Sequence, residues 1–167
     1  TVKLVEKDGL VVEAFAVTHA PVEPAVGYRF TYKDRSVVIT GDTVKDPNII
    51  EMSRGADLLV HEALAANLVA LLNEGARNNQ QVNLTRITHD IPDYHATPVD
   101  AAETAAEAGV GHLLYYHIVP ALLVPGQERL FLNGAEDIFE DFTIGHDGVA
   151  FSLPASSDKI IQISEGL

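Results

Sequence analysis

Apolar and polar residues alternate from Leu10 to Thr18, and the β-branched residues of that run predict a strand. Tyr28 to Tyr32 and Ser36 to Thr40 read as two more strands, joined by the turn Lys33-Asp34. Asp46-Pro47 opens a short helix reaching about Arg54, with Pro47 in its first turn, where a missing N–H costs nothing. Asp57 to Glu62 is a short apolar run that ends in polar residues, the pattern of a buried strand. Asn67 to Glu74 has a helical spacing, whereas Gly75 to Tyr94 is polar and irregular and reads as a long surface loop.

The clearest helix starts at Thr97-Pro98, with Thr97 as N-cap and Pro98 at the first helical position. It runs through an alanine-rich stretch to Ala108 and is closed by Gly109. His112 to Ile118 predicts another apolar strand, Glu128 to Glu140 a helix, and Phe142 to Ile144 with Val149 to Leu153 a final strand pair around His146-Asp147-Gly148. The tail after Pro154 is weakly patterned. No repeat or linker interrupts the order β-β-β-α-β-α-α-β-α-β, which implies one layered α/β unit with helices covering a sheet.

A chain of 167 residues, 47% hydrophobic and 21% charged, has the balance of a soluble domain able to bury a core. Its most apolar stretch, Leu58 to Leu72, is broken by His61, Glu62 and Asn67, which excludes a membrane span there. No signal peptide opens the sequence, but it begins at Thr1, so cytoplasmic and exported locations both stay open. Without cysteine, any metal must sit on His, Asp or Glu. The net charge of −13 and the scattering of eleven Lys and Arg argue against a nucleic-acid partner.

Metal-capable residues stand where apolar strands stop: His19, Asp42, the pair His61-Glu62, and His117. Strand ends are where sites collect in α/β sheets, and imidazoles with a carboxylate are the nitrogen and oxygen donors zinc prefers. Singly, each has a plainer reading: Asp42 in Gly41-Asp42-Thr43 suits a turn, His117 a core histidine, His95 a solvated loop. His89, His112 and His146 have nothing beyond such readings to recommend them.

Taken in order, the segments are Val17-Thr18-His19-Ala20-Pro21, Gly27-Tyr28-Arg29-Phe30, Ile39-Thr40-Gly41-Asp42-Thr43, Asp57-Leu58-Leu59-Val60-His61-Glu62-Ala63, Tyr94-His95-Ala96-Thr97 and Leu114-Tyr115-Tyr116-His117-Ile118. This run resembles the second half of ribonuclease Z and its metallo-β-lactamase-fold relatives, arylsulfatase-like members included. The resemblance implies an α/β fold, half of an αββα metallo-β-lactamase sandwich whose mixed β-sheet is covered by helices. It implies two divalent metal ions, zinc first and manganese or iron as alternatives. His19, Asp42 and His117 would be ligands, Asp42 bridging both ions. His95 would act at the phosphate or leaving group, with His61 and Glu62 orienting it and His61 relaying the Glu62 charge.

The family's His-x-His-x-Asp-His motif is absent from these residues. The expectation is therefore that residues 1–167 form the C-terminal half of such a domain, with the N-terminal half as partner. Ribonuclease Z also carries a long arm between the Gly-Tyr-Arg and Gly-Asp-Thr strands, whereas only Thr31 to Ser36 lies between Phe30 and Val37 here. The sequence thus points to a binuclear hydrolase of small phosphodiester or related ester substrates. A ribonuclease Z-type tRNA 3′-processing endonuclease and a non-catalytic half-domain needing a partner chain are the alternatives, and a homo-oligomer stays open.

Overall fold

The computed structural model describes residues 1–165. Seven strands form one sheet in sequence order: β1 (Val2–Lys7), β2 (Leu10–Val17), β3 (Ala25–Tyr32), β4 (Arg35–Ile39), β5 (Leu58–Leu64), β6 (His112–Val119) and β7 (Phe142–Ile144). The first four pair antiparallel and the last four parallel, β4 belonging to both halves. Parallel neighbours need crossovers, and α1 (Pro47–Ser53), α2 (Ala66–Asn78), α3 (Val82–Asp90), α4 (Pro98–Ala108) and α5 (Gln127–Leu132) lie in them.

One sheet face carries Phe15, Val38, Leu59, Leu113 and Tyr115, and α1 and α4 pack on it. Small side chains let α4 approach closely: Ala101, Ala102 and Ala105 are all fully buried. Its start is a reciprocal cap in which Asp100 N–H donates to Thr97 Oγ1 at 3.1 Å and Thr97 N–H donates to Asp100 Oδ2 at 2.9 Å. Arg29, on the same face, donates to the Met52 carbonyl at 2.5 Å and so occupies the carbonyl end of α1. On β3, a Cβ at Gly27 would lie 2.5 Å from the Phe15 ring, so the absence of a side chain there is what admits Phe15.

Among the described residues, the helices that pack on the sheet, α1 and α4, leave the opposite face, with Phe30, Val37, Val60, Leu114 and Tyr116, uncovered by them. One end of it is covered by the ribbon β8 (Val149–Ser152) and β9 (Ile161–Glu165), through Phe151 against His112 at 5.3 Å. Arg35, buried and paired with Asp57 at 3.1 Å, donates to the Ser157 and Lys159 carbonyls and ties the intervening chain down.

Three sequence expectations are corrected. Gly75 to Tyr94 is not a loop: α2 runs to Asn78, then come α3 and a 3₁₀ turn at Ile91–Tyr94. Asn73 holds the two helices together by donating to the Thr85 carbonyl at 2.7 Å and to Thr88 Oγ1 at 2.8 Å, while Val82 and Ile87 stay exposed. Glu128 to Glu140 is not one helix, because Asn133 and Gly134 take left-handed conformations after α5, before a 3₁₀ turn at Ala135–Asp137. Phe142 to Ile144 and Val149 to Leu153 do not pair: β7 joins β6, and β8 joins β9 in the tail. Residues 166–167 of that tail lie outside the described residues.

Gly27→Val should lower stability by roughly 1–3 kcal/mol through overpacking against Phe15. Urea unfolding of the full-length protein would measure it, and Phe15→Ala placed in the same chain should recover part of the loss.

Candidate metal centre

The expected site residues come together at the C-terminal ends of β4, β5 and β6. Beyond β4 the chain turns at Gly41 with φ +67°, and a Cβ there would meet the Val26 carbonyl oxygen at 2.8 Å. Only glycine fits, and Asp42 is delivered to the edge. His19 follows β2, and its loop is stitched to the Asp42 loop by Val44 N–H to the Thr18 carbonyl at 3.0 Å. His117 arrives by a different device. In the β5–β6 register Glu62 faces Tyr116 and Ala63 faces Ile118, so His117 is the extra residue of a bulge, at φ +44°. That conformation costs roughly 1–3 kcal/mol. It turns the imidazole out of the ladder, with Nε2 3.6 Å from Asp42 Oδ2.

Glu62 lies under these loops, fully buried. Its Oε1 accepts from Thr43 N–H at 3.0 Å, His95 Nδ1–H at 2.8 Å and Ala96 N–H at 3.2 Å. The contact with His95 is direct. His61 does not stand between them: its Nδ1–H donates to the Glu62 backbone carbonyl at 2.8 Å, and successive strand residues point to opposite faces. The relay expected through His61 is therefore replaced by direct contact. His61 is fully buried, its Nε2 has no protein partner among the described residues, and burial pushes its pKa down.

One ligand atom each from His19, Asp42 and His95 lies within 4.8 Å of the others. His19 Nδ1 sits 2.7 Å from the Tyr94 carbonyl, which can only accept, so that nitrogen carries the hydrogen and Nε2 keeps its lone pair. Glu62 orients the His95 ring through the same nitrogen, Nδ1. Histidine ligands are oriented by such contacts in metal sites generally. Two imidazoles and a carboxylate, with His117 beside Asp42, are a donor set that fits zinc or a similar ion. His95, expected at the leaving group, is thus also within reach of the ion held by His19 and Asp42. Burial lowers the His95 pKa, but the Glu62 hydrogen bond and the charges of Glu62 and Asp42 outweigh it and the net direction is upward.

The remaining histidines divide. His89 is exposed at the end of α3, and His112 bonds Thr143 Oγ1 at 2.9 Å near the opposite end of β6. His146, which sequence reasoning set aside, lines a groove of about 490 Å³ with His117, Leu122 and Asp147. The signal was available in the turn His146-Asp147-Gly148, but nothing in the sequence brings that turn next to His117. Gly145 does so in the fold, because its N–H donates to the Tyr115 carbonyl at 2.9 Å and a Cβ would meet that oxygen at 2.5 Å.

A mixed sheet with helices on one face and an all-nitrogen-and-oxygen donor set at its strand ends defines the metallo-β-lactamase class. Residues 2–118 match the Beta-lactamase superfamily domain, and the chain belongs to that superfamily. It is 39% identical over 142 residues to ribonuclease Z of Mycolicibacterium paratuberculosis, an alignment covering 85% of this chain and 47% of that protein. Among solved structures, the metallo-beta-lactamase fold protein YhfI from Bacillus subtilis has a TM-score of 0.59 at 22% identity, over 84% of this chain and 48% of that one. Zn(2+)-bound PqqB from Methylobacterium extorquens has a TM-score of 0.55 at 17% identity, over 88% and 48%. Both share the fold. The chain spans about half the length of the curated relatives it matches.

Removing the Glu62 carboxylate strands three donors at once. Glu62→Ala should cost roughly 3–5 kcal/mol, as for breaking a buried pair from one side. Glu62→Gln, which keeps an acceptor oxygen, should cost less, and equal midpoints in urea would contradict this account. His61 gives a pH signature. Burial keeps it neutral to lower pH in the fold than in the unfolded chain, which takes up the proton near pH 6.5. Its contribution is full above that pH and is lost as pH falls below it. His61→Leu should therefore flatten the fall of Tm between about pH 7 and 5; parallel curves for both proteins would refute it.

Proposed function

We propose that this chain is one half of a binuclear metal-dependent hydrolase acting on small phosphodiesters and related esters. The observation that carries the reading is the convergence of His19, Asp42 and His95 donor atoms within 4.8 Å, with His117 beside Asp42. Two divalent ions, zinc first and manganese or iron as alternatives, would supply a water acidic enough to attack near neutral pH and positive charge beside the reacting centre. Asp42, with two oxygens and a negative charge, would hold both ions, with His19 as a ligand to one of them and His117 to the other. His95 donates to the departing oxygen, its ring held by the Glu62 carboxylate, and the leaving group departs with a proton. His61 acts only through the backbone it bonds.

The rest of the coordination comes from an N-terminal half carrying His-x-His-x-Asp-His. Supporting this are the length of the matched relatives and the sheet face that α1 and α4 leave uncovered, where Tyr28 and Tyr32 are exposed beside Phe30 and Val37. The donor set and its buried support also argue against a non-catalytic half-domain.

The likeness to ribonuclease Z favours a second reading, tRNA 3′-end processing. Against it, β3 and β4 meet in the two-residue turn Lys33-Asp34, and the charge of −13 opposes a polyanion. Purified full-length protein, loaded with zinc or manganese, should hydrolyse bis(p-nitrophenyl) phosphate faster than it matures a precursor tRNA at physiological salt. The reverse order would establish the nuclease reading. Asp42→Ala should lose more metal by elemental analysis than His19→Ala or His117→Ala, and two full metal equivalents in Asp42→Ala would end the bridging assignment.

A further inference from the structure

One more side chain meets the ligand cluster. Tyr94 ends the 3₁₀ turn after α3, and its ring centroid lies 5.2 Å from that of His19, edge-on at 86°, and 5.2 Å from that of His95. Its backbone is pinned, because its carbonyl accepts the His19 Nδ1–H at 2.7 Å. The side chain is half-buried, yet the hydroxyl has no hydrogen-bond partner among the described residues. Tyr115 behaves as a structural tyrosine should, donating from its buried hydroxyl to the Pro98 carbonyl at 3.1 Å.

The two structural duties at position 94 do not need a phenol. Any residue supplies the carbonyl that orients His19, and phenylalanine would supply the ring that packs on His19 and His95. What the phenol adds is a hydroxyl on a partly exposed ring that packs against two imidazoles of the ligand cluster. A neutral phenol is a good donor to an oxygen that gains negative charge, and fixed donors at such oxygens are among the largest contributions to catalysis.

We infer that Tyr94 is a substrate-contacting residue whose hydroxyl donates a hydrogen bond to a non-bridging phosphoryl oxygen, or to the carbonyl oxygen of a carboxylic ester, as charge develops there. The inference rests on the hydrolase reading above. In the step, the bond from water oxygen to phosphorus forms as that water gives up a proton to solvent, the bond to the leaving oxygen breaks, and that oxygen takes its proton from His95. Tyr94 keeps its own proton throughout. It acts on the oxygen that neither attacks nor leaves, a role that the His95 assignment does not fill.

The test uses metal-loaded full-length protein and Tyr94→Phe, which keeps the ring on His19 and so should keep full metal content. We expect kcat on bis(p-nitrophenyl) phosphate to fall roughly 10- to 100-fold, less than for a fully enclosed oxyanion donor, with KM changed little. Adding inorganic phosphate should perturb a tyrosine band in the ultraviolet difference spectrum of the wild-type protein but not of Tyr94→Phe, a signal that packing alone would not give. An active wild type with an unchanged kcat in Tyr94→Phe overturns this inference and leaves the hydrolase reading standing, as does a phosphate-induced tyrosine band that survives the substitution. A wild type inactive on phosphodiesters, but with a phosphate response that Tyr94→Phe abolishes, would sink the hydrolase reading and retain the Tyr94 contact.

Discussion

The buried carboxylate of Glu62 is the interaction on which the site depends. A charge at the inner end of a strand, with no exposure, persists only if donors converge on it. Here the donors are the amide after Asp42, the amide after His95 and the His95 imidazole, so one oxygen sets the separation of two loops that are distant in sequence. Leu64 N–H to the Ala96 carbonyl at 2.8 Å repeats the tie one step further along. The cluster is therefore preorganised by the protein's own hydrogen bonds, and its geometry does not have to be imposed by whatever it binds.

Strands β2 to β7 and α4 were legible because each carries its own local signal. Val37 to Thr40 and Leu58 to Val60 are apolar runs bounded by polar residues, and Thr97-Pro98 with Gly109 marks both ends of a helix. The α2–α3 hairpin was hidden because neither helix has a side-chain N-cap and the clasp between them is polar. The β8–β9 ribbon was hidden for another reason. Its pairing depends on the chain between, tied down by Arg35 through carbonyls that have no side-chain signature.

At the site, the family resemblance was what brought His19, Asp42, His95 and His117 together as candidates. Their division of labour was not readable. Sequence cannot show that a bulge at φ +44° swings His117 towards Asp42, nor that strand alternation sends His61 to the face away from His95 and leaves Glu62 to make the contact alone. Resemblance supplied the candidate residues, whereas the pleat of β5 decides which of two neighbours touches the site.

The polar clasp of the α2–α3 hairpin has a dynamic consequence. Thr88 is the buried residue of α3, and that helix rests mainly on α2 and on the 3₁₀ turn. Segments with little buried surface open locally at less than the global unfolding free energy. The turn that follows carries the Tyr94 carbonyl bonded to His19. A local opening that reaches that turn would free the His19 ring, which couples the order of the ligand set to this hairpin as well as to the Glu62 contacts.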